Sequence, residues 1–257
     1  MNIFVFDIET VPDVVSGRRL YDLEGLDDQQ TSSAMMALRR EKTGSDFLPL
    51  HLQRIVAISA VLRQKDRVMV WSLGDLDSTE SEIIQRFFSG IDKYTPTLVS
   101  WNGSGFDLPV LHYRSLLHGI SAPRYWEVGD NDQQFRWNNY LNRYHYRHMD
   151  VMDVLAGYQG RANAPLDEVA TMLGFPGKMG MSGAHVWDEY SAGNLSGIRN
   201  YCETDVLNTY LVYLRFELIR GQLSESEYVK ECERLRAMLL ESPAPHLHEF
   251  CQQWKAA

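Results

Sequence analysis

The chain has 257 residues, 44% of them hydrophobic, and a formal net charge of −9. That length can bury one large α/β core with an appendage, and the acidic balance argues against sequence-independent coating of a duplex, which draws its affinity from many Lys and Arg contacts to phosphate. No apolar run approaches the ~20 residues that span a bilayer, and Met1 to Asp7 lack the basic start of a secretory signal, so a cytoplasmic protein with no membrane association is expected.

Asn2 to Ile8 reads as a buried strand that delivers Asp7 and Glu9 at its end, on one face because they are two apart. An insertion of about residues 14–50 follows, with a helix-like run from Thr31 to Lys42 stopped by Gly44, placed at the mouth of a site. Arg54 to Leu62 and Arg67 to Ser72 read as a hairpin turning at Arg63 to Asp66, which makes the sheet mixed. Thr79 with Glu82 is a capping-box pattern ahead of Ile83, Ile84, Phe87 and Phe88. Thr97 to Trp101 resumes as a strand, Asn102 to Gly105 turns, and Leu108 to Leu117 forms a helix with Pro109 in its first turn. Asp150 to Tyr158 and Pro165 to Leu173 read as short helices and Leu195 to Leu218 as a long one. Residues 1–220 are expected to form one domain and 221–257 a helical extension. Its helix opens at Ser224 and Glu227 and carries an apolar stripe through Tyr228, Cys232, Leu235 and Leu239 that covers the core or else pairs with a partner, and its end from Glu241 is expected to be loosely held. The three cysteines, Cys202, Cys232 and Cys251, lack CxxC pairing and read as structural.

Three acidic stretches stand out: Phe6-Asp7-Ile8-Glu9-Thr10 at a strand end, Asn102-Gly-Ser-Gly-Phe106-Asp107 at a strand-to-helix turn, and Tyr201-x-x-x-Asp205 within a helix. Carboxylates at the carboxyl ends of strands point into the crevice where open α/β sheets hold ligands. Tyr201 and Asp205, four apart, share one helix face. Four carboxylates and a phenol converging on one crevice are the equipment for holding two hard divalent cations, Mg²⁺ or Mn²⁺, around a phosphodiester.

In these motifs the chain resembles the DEDD-type 3′–5′ exonucleases of the RNase H-like fold, and among them the proofreading exonuclease domain of family B DNA polymerases. The position five before the last aspartate, where the histidine subclass carries its base, is Asn200, so the tyrosine subclass is the better match. The resemblance implies an RNase H-like mixed sheet flanked by helices. It implies that Asp7, Glu9 and Asp205 hold one metal, that Asp7 bridges to a second held through water by Asp107, and that Tyr201 orients the attacking water. Nucleoside 5′-monophosphates are the implied product. A polymerase domain does not also fit in this length. A separate polymerase or repair complex is a candidate partner. Single-stranded DNA with a free 3′ end is the favoured substrate; RNA 3′-end trimming and a non-catalytic nucleic-acid-binding module stay open.

Thr10, Asn102 and Phe106 flank the acidic residues and become candidate substrate contacts through the resemblance, although Asn102 also suits a plain Asn-Gly turn. Trp126, Phe135, Trp137, Tyr140, Tyr144 and Tyr146 interleave with Arg124, Arg136, Arg143 and Arg147. This composition suits a groove for unpaired bases, with Trp137 and Tyr140 as stacking platforms, or equally the packing of an irregular insertion. His145, His148, Asp150 and Asp153 lack zinc-site geometry and read as structural. The Gly177 to Gly183 run reads as a mobile loop carrying Lys178.

Overall fold

The computed structural model describes residues 2–255. Its five-stranded sheet has the order β3-β2-β1-β4-β5. The central strand β1 (Asn2–Pro12) pairs antiparallel with β2 (Gln53–Gln64), which pairs antiparallel with β3 (Arg67–Ser72). On its other side β1 runs parallel to β4 (Thr97–Ser100), and β4 runs parallel to β5 (His148–Asp150). The mixed sheet is thus the expected one, with one strand added.

Alternation along β1 builds two cores. Phe4, Phe6 and Ile8 enter the core shared with α3 (Glu80–Tyr94) and α4 (Asp107–His118), whereas Val5 belongs to the core under α9 (Leu195–Ile219). The helix α9 is buried on nearly every side because the sheet lies beneath it and α10 (Glu225–Glu241) and α11 (Pro245–Gln253) lie behind it. Asp7 and Glu9, on the Val5 face of β1, therefore meet α9.

The capping boxes at Thr79/Glu82 and Ser224/Glu227 form as expected, and a third, Asp27/Gln30, starts α2 (Asp28–Thr43) within the insertion, after α1 (Val14–Tyr21). The insertion returns through Phe47, whose ring lies 5.9 Å from that of Phe106, next to Asp107.

Two expectations change. The segment from Pro245 to Trp254 is firmly packed, because Leu247 and Phe250 of α11, and Trp254 just beyond it, are buried in the same core as Leu235, Leu239 and α9. His148–Asp150 is a strand, and the helix after it, α6 (Val151–Leu155), also stops short of the expected Tyr158, where Gly157 and Tyr158 take left-handed backbone. Between these elements lie α5 (Pro123–Trp126), α7 (Leu166–Met172) and α8 (Val186–Ser191).

Candidate active site

Asp7 and Glu9 project from within β1, which pairs on with β2 as far as Pro12 instead of ending at Ile8 as expected, and they stand beside a bulge between Glu9 and Thr10 where that pairing shifts register. The Asp7 carboxylate, the Glu9 carboxylate and the Cys202 sulfur lie within 4.8 Å of one another. The Cys202 thiol donates to the Asp7 carbonyl at 3.4 Å and to its carboxylate at 3.6 Å. Asp107, the first residue of α4, is buried, and its Oδ1 accepts from the backbone N–H of Ile8 at 3.2 Å, so the helix carboxylate is tied to the strand between the two acidic residues. Tyr201 and Asp205, one turn apart on α9, approach closely enough for the Asp205 charge to act on Asp7, Glu9 and Tyr201, although neither Asp107 nor Asp205 joins the 4.8 Å cluster.

The electrostatics follow from crowding like charges in a dry place. Burial, then the charges of Asp107, Glu9 and Asp205, hold the Asp7 carboxyl well above its ordinary range. Burial, then Asp205 and Asp107, do the same to Glu9. Burial lifts Asp107 to about 7 and Asp205 to about 6, the Tyr201 hydroxyl and the Lys178 charge working the other way on Asp205. Burial and the neighbouring Asp205 and Glu9 push the Tyr201 phenol far up, so it stays protonated at any physiological pH. The Cys202 thiol, raised by burial and by Asp7, likewise stays neutral. Four carboxylates that repel one another, offering hard oxygen donors beside a neutral thiol, are a donor set suited to hard divalent cations.

The turn that presents Asp107 is built by residues that carry no obvious motif. Asp150 accepts from the backbone N–H groups of Asn102 at 2.9 Å and Ser104 at 2.8 Å. Ser100 Oγ and His148 Nε2 are 2.8 Å apart, and a Cβ at Gly103 would collide with that Oγ, so glycine is required there. Asn102 itself adopts a left-handed backbone, φ 65°. Nothing in the sequence marks Asp150 and Cys202 as supports of the site; the pairing of β4 with β5 and of β1 with α9 creates their contacts. His145 Nδ1 accepts from the Asn139 N–H, and Asp153 pairs with Arg143, so the histidine and aspartate run serves the fold.

Phe106 is half-buried against Phe47, and the Thr10 hydroxyl donates to Gln53 Oε1 at 3.0 Å beside Glu9. Trp137 stands 80% exposed, with the Arg136 guanidinium 5.6 Å from its ring centre. Tyr140 does not share that role. It is only 2% exposed, stacks on Tyr125, lies under Arg147 and donates its hydroxyl to the Pro96 carbonyl at 2.7 Å, so its faces are already taken by the core. The loop carrying Lys178 is pinned rather than loose. Asn208 of α9 bonds both the N–H and the carbonyl of Gly177, and the Lys178 N–H donates to Asp167 at 2.6 Å. Lys178, Tyr201, Asp205 and Asn208 line one cavity of about 190 Å³.

A family described as predicted 3′–5′ exonuclease related to the exonuclease domain of PolB matches residues 45–254. The chain belongs to this family. The matched span of this PolB-related exonuclease takes in Asp107, Tyr201 and Asp205 and begins after Asp7 and Glu9. Among solved structures, the family B DNA polymerase from the hyperthermophilic archaeon Pyrobaculum calidifontis is similar over 98% of this chain and 27% of that one, with 16% identity and a TM-score of 0.49. The chain therefore spans about a quarter of that polymerase. No curated protein matches it. The sheet with helices on both faces is the RNase H-like arrangement expected of an exonuclease of this kind, and among the described residues no helix is long and apolar enough to cross a membrane.

Proposed function

We propose that this exonuclease removes nucleotides from the 3′ end of single-stranded DNA with two divalent cations, Mg²⁺ or Mn²⁺, held by Asp7, Glu9, Asp107 and Asp205. The observation that carries the reading is the gathering of four carboxylates from β1, α4 and α9, Glu9 and Asp107 buried and Asp7 and Asp205 half-buried. Each is raised above its ordinary range first by desolvation, with the other three adding repulsion at Asp7, and with Asp205 and Asp107 adding it at Glu9. Such repulsion has no structural use, and bound cations relieve it. When bound, the cations supply Lewis-acid activation of water and charge neutralisation at the phosphodiester.

The chain's own residues do the rest. Tyr201, kept protonated, orients the attacking water by hydrogen bonding and does not take its proton. Lys178, whose charge already eases the ionisation of Glu9 and Asp205, stands where it can face a phosphate oxygen. Thr10, Asn102 and Phe106 border the terminal nucleotide, Trp137 offers a stacking face, and Cys202 holds Asp7 in place. The product is a nucleoside 5′-monophosphate, and 3′ ends released by a polymerase or repair complex are fitting substrates. Residues 1–220 carry the catalytic part, and 221–257 buttress it.

Labelled DNA and RNA strands incubated with Mg²⁺, Mn²⁺ or chelator test the proposal. It expects a metal-dependent ladder shortening from the 3′ end of DNA. RNA-only laddering transfers the activity to RNA trimming, and binding without cleavage under either metal makes the chain a binding module.

A further inference from the structure

Two cavities lie beyond the turn that presents Asp107. The first, of about 370 Å³, is bordered by Asn102, Ser104 and Gly105 of the turn and runs to Arg143 and His148. The second, of about 360 Å³, starts at the same Arg143 and His148 and ends among Tyr144, Tyr146, Tyr158 and Arg220. The two cavities therefore adjoin at Arg143 and His148, and the first borders the turn that presents Asp107, although none of the four carboxylates lines either one.

The walls of the second cavity are aromatic rings with guanidinium groups laid on them. Arg143 lies 6.0 Å from the Tyr144 ring centre and 5.2 Å from that of Tyr158; Arg220 lies 5.5 Å from that of Tyr146. Tyr144 and Tyr146 remain 64% and 66% exposed, although Tyr144 sits edge-on to Tyr158 at 4.8 Å. Tyr158 holds that position with a left-handed backbone, φ 61°, a conformation costly for a bulky residue and maintained here by its N–H bond to the Asp153 carbonyl. Each arginine also touches a carboxylate, Arg143 on Asp153 and Arg220 on Glu217. These contacts fix the guanidinium planes and leave the charge of the pair near zero. Stacking, not net charge, is what the surface offers.

We infer that these two cavities form a track for an unpaired nucleic-acid strand, with bases stacking on Tyr144 and Tyr146 while the strand's end lies at the Asn102 turn. The inference rests on the exonuclease reading for the direction of the strand, but the track's binding can be measured without turnover. Stacking faces accept any base and either sugar, so sequence preference is weak.

The test is fluorescence anisotropy in chelator with 5′-labelled oligothymidylate and oligouridylate strands of about twelve nucleotides, long enough to cover both cavities. The Tyr144→Ala/Tyr146→Ala double variant is expected to bind at least one of the strands about tenfold or more weakly than the wild type, as loss of base stacking implies. Leu116→Ala, an 81% exposed position on α4 outside both cavities, serves as the control. Wild-type affinity in the folded double variant overturns the track, even if hydrolysis is intact. Loss of binding in the variant supports it, even if no metal yields cleavage, in which case only the exonuclease reading falls. Should the double variant not fold, photo-crosslinking of wild-type protein to a strand bearing 5-iodouracil decides the matter. Adducts on the peptide containing Tyr144 and Tyr146 support the track, and adducts only elsewhere overturn it.

Discussion

At the scale of the residue, the buried carboxylates control both stability and chemistry. In the folded chain without metal, Asp107 and Asp205 titrate at about 7 and about 6, against about 4 in an unfolded chain. Between those values the folded state holds more protons than the unfolded one, so stability falls as pH rises through that window. Thermal unfolding in chelator should therefore occur at a higher temperature near pH 5 than near pH 8, and added Mn²⁺ should erase most of the difference. A melting temperature indifferent to pH across this range contradicts the repulsion argued for the site. Asp107→Asn keeps an acceptor for the Ile8 N–H and removes one charge. It is expected to raise the melting temperature in chelator by about 2–4 °C, on the order of 1 kcal/mol for a chain of this size, while abolishing turnover. Tyr201→Phe should lower kcat about a hundredfold, the scale of a misplaced reactant, with the shape of the pH–rate profile unchanged, because the phenol does not titrate. A shifted alkaline limb would show instead that Tyr201 acts as a base.

At the scale of the element, the site is only as good as the turn between β4 and α4. Asp150→Ala would leave the Asn102 and Ser104 N–H groups without their acceptor, at a cost of about 1–3 kcal/mol. Because that turn aims Asp107, activity should fall more steeply than stability, which parallel denaturation and turnover measurements will separate. Much of this level could be read in advance. Strand β1, the hairpin, the capping boxes of α3 and α10 and the long helix follow from periodicity and local hydrogen-bonding residues, which act over a few positions. The three-residue strand β5 could not be, since it exists only through pairing with β4. Tyr140 went the wrong way for a related reason. Aromatic and arginine residues interleaved without a period do not distinguish a stacking surface from a core, and only the contacts with Tyr125, Arg147 and Pro96 do.

At the scale of the whole molecule, distant residues close the structure around the site. Arg114 on α4 bonds Glu80 at the start of α3 with two nitrogens and Asp13 at the end of β1 with the third, all three side chains buried. Arg114→Met leaves two buried carboxylates without their partner and should destabilise the fold by about 3–5 kcal/mol in denaturant titration. The closing helices matter as much. Removing residues after 220 would uncover Tyr210, Leu211 and Leu214, which share a core with Leu235, Leu239 and Trp254. The four acidic residues and Tyr201 were legible as candidates because their chemistry is local to short motifs. Their convergence, and the supports Cys202 and Asp150 give them, depend on contacts spanning up to 195 positions of sequence. Calorimetric titration of Mn²⁺ into wild-type protein and Asp7→Asn tests the central claim most directly. Two ions per chain are expected for the wild type, with binding to Asp7→Asn weakened about a hundredfold, on the order of 2.7 kcal/mol; equal Mn²⁺ uptake by the two proteins would contradict it.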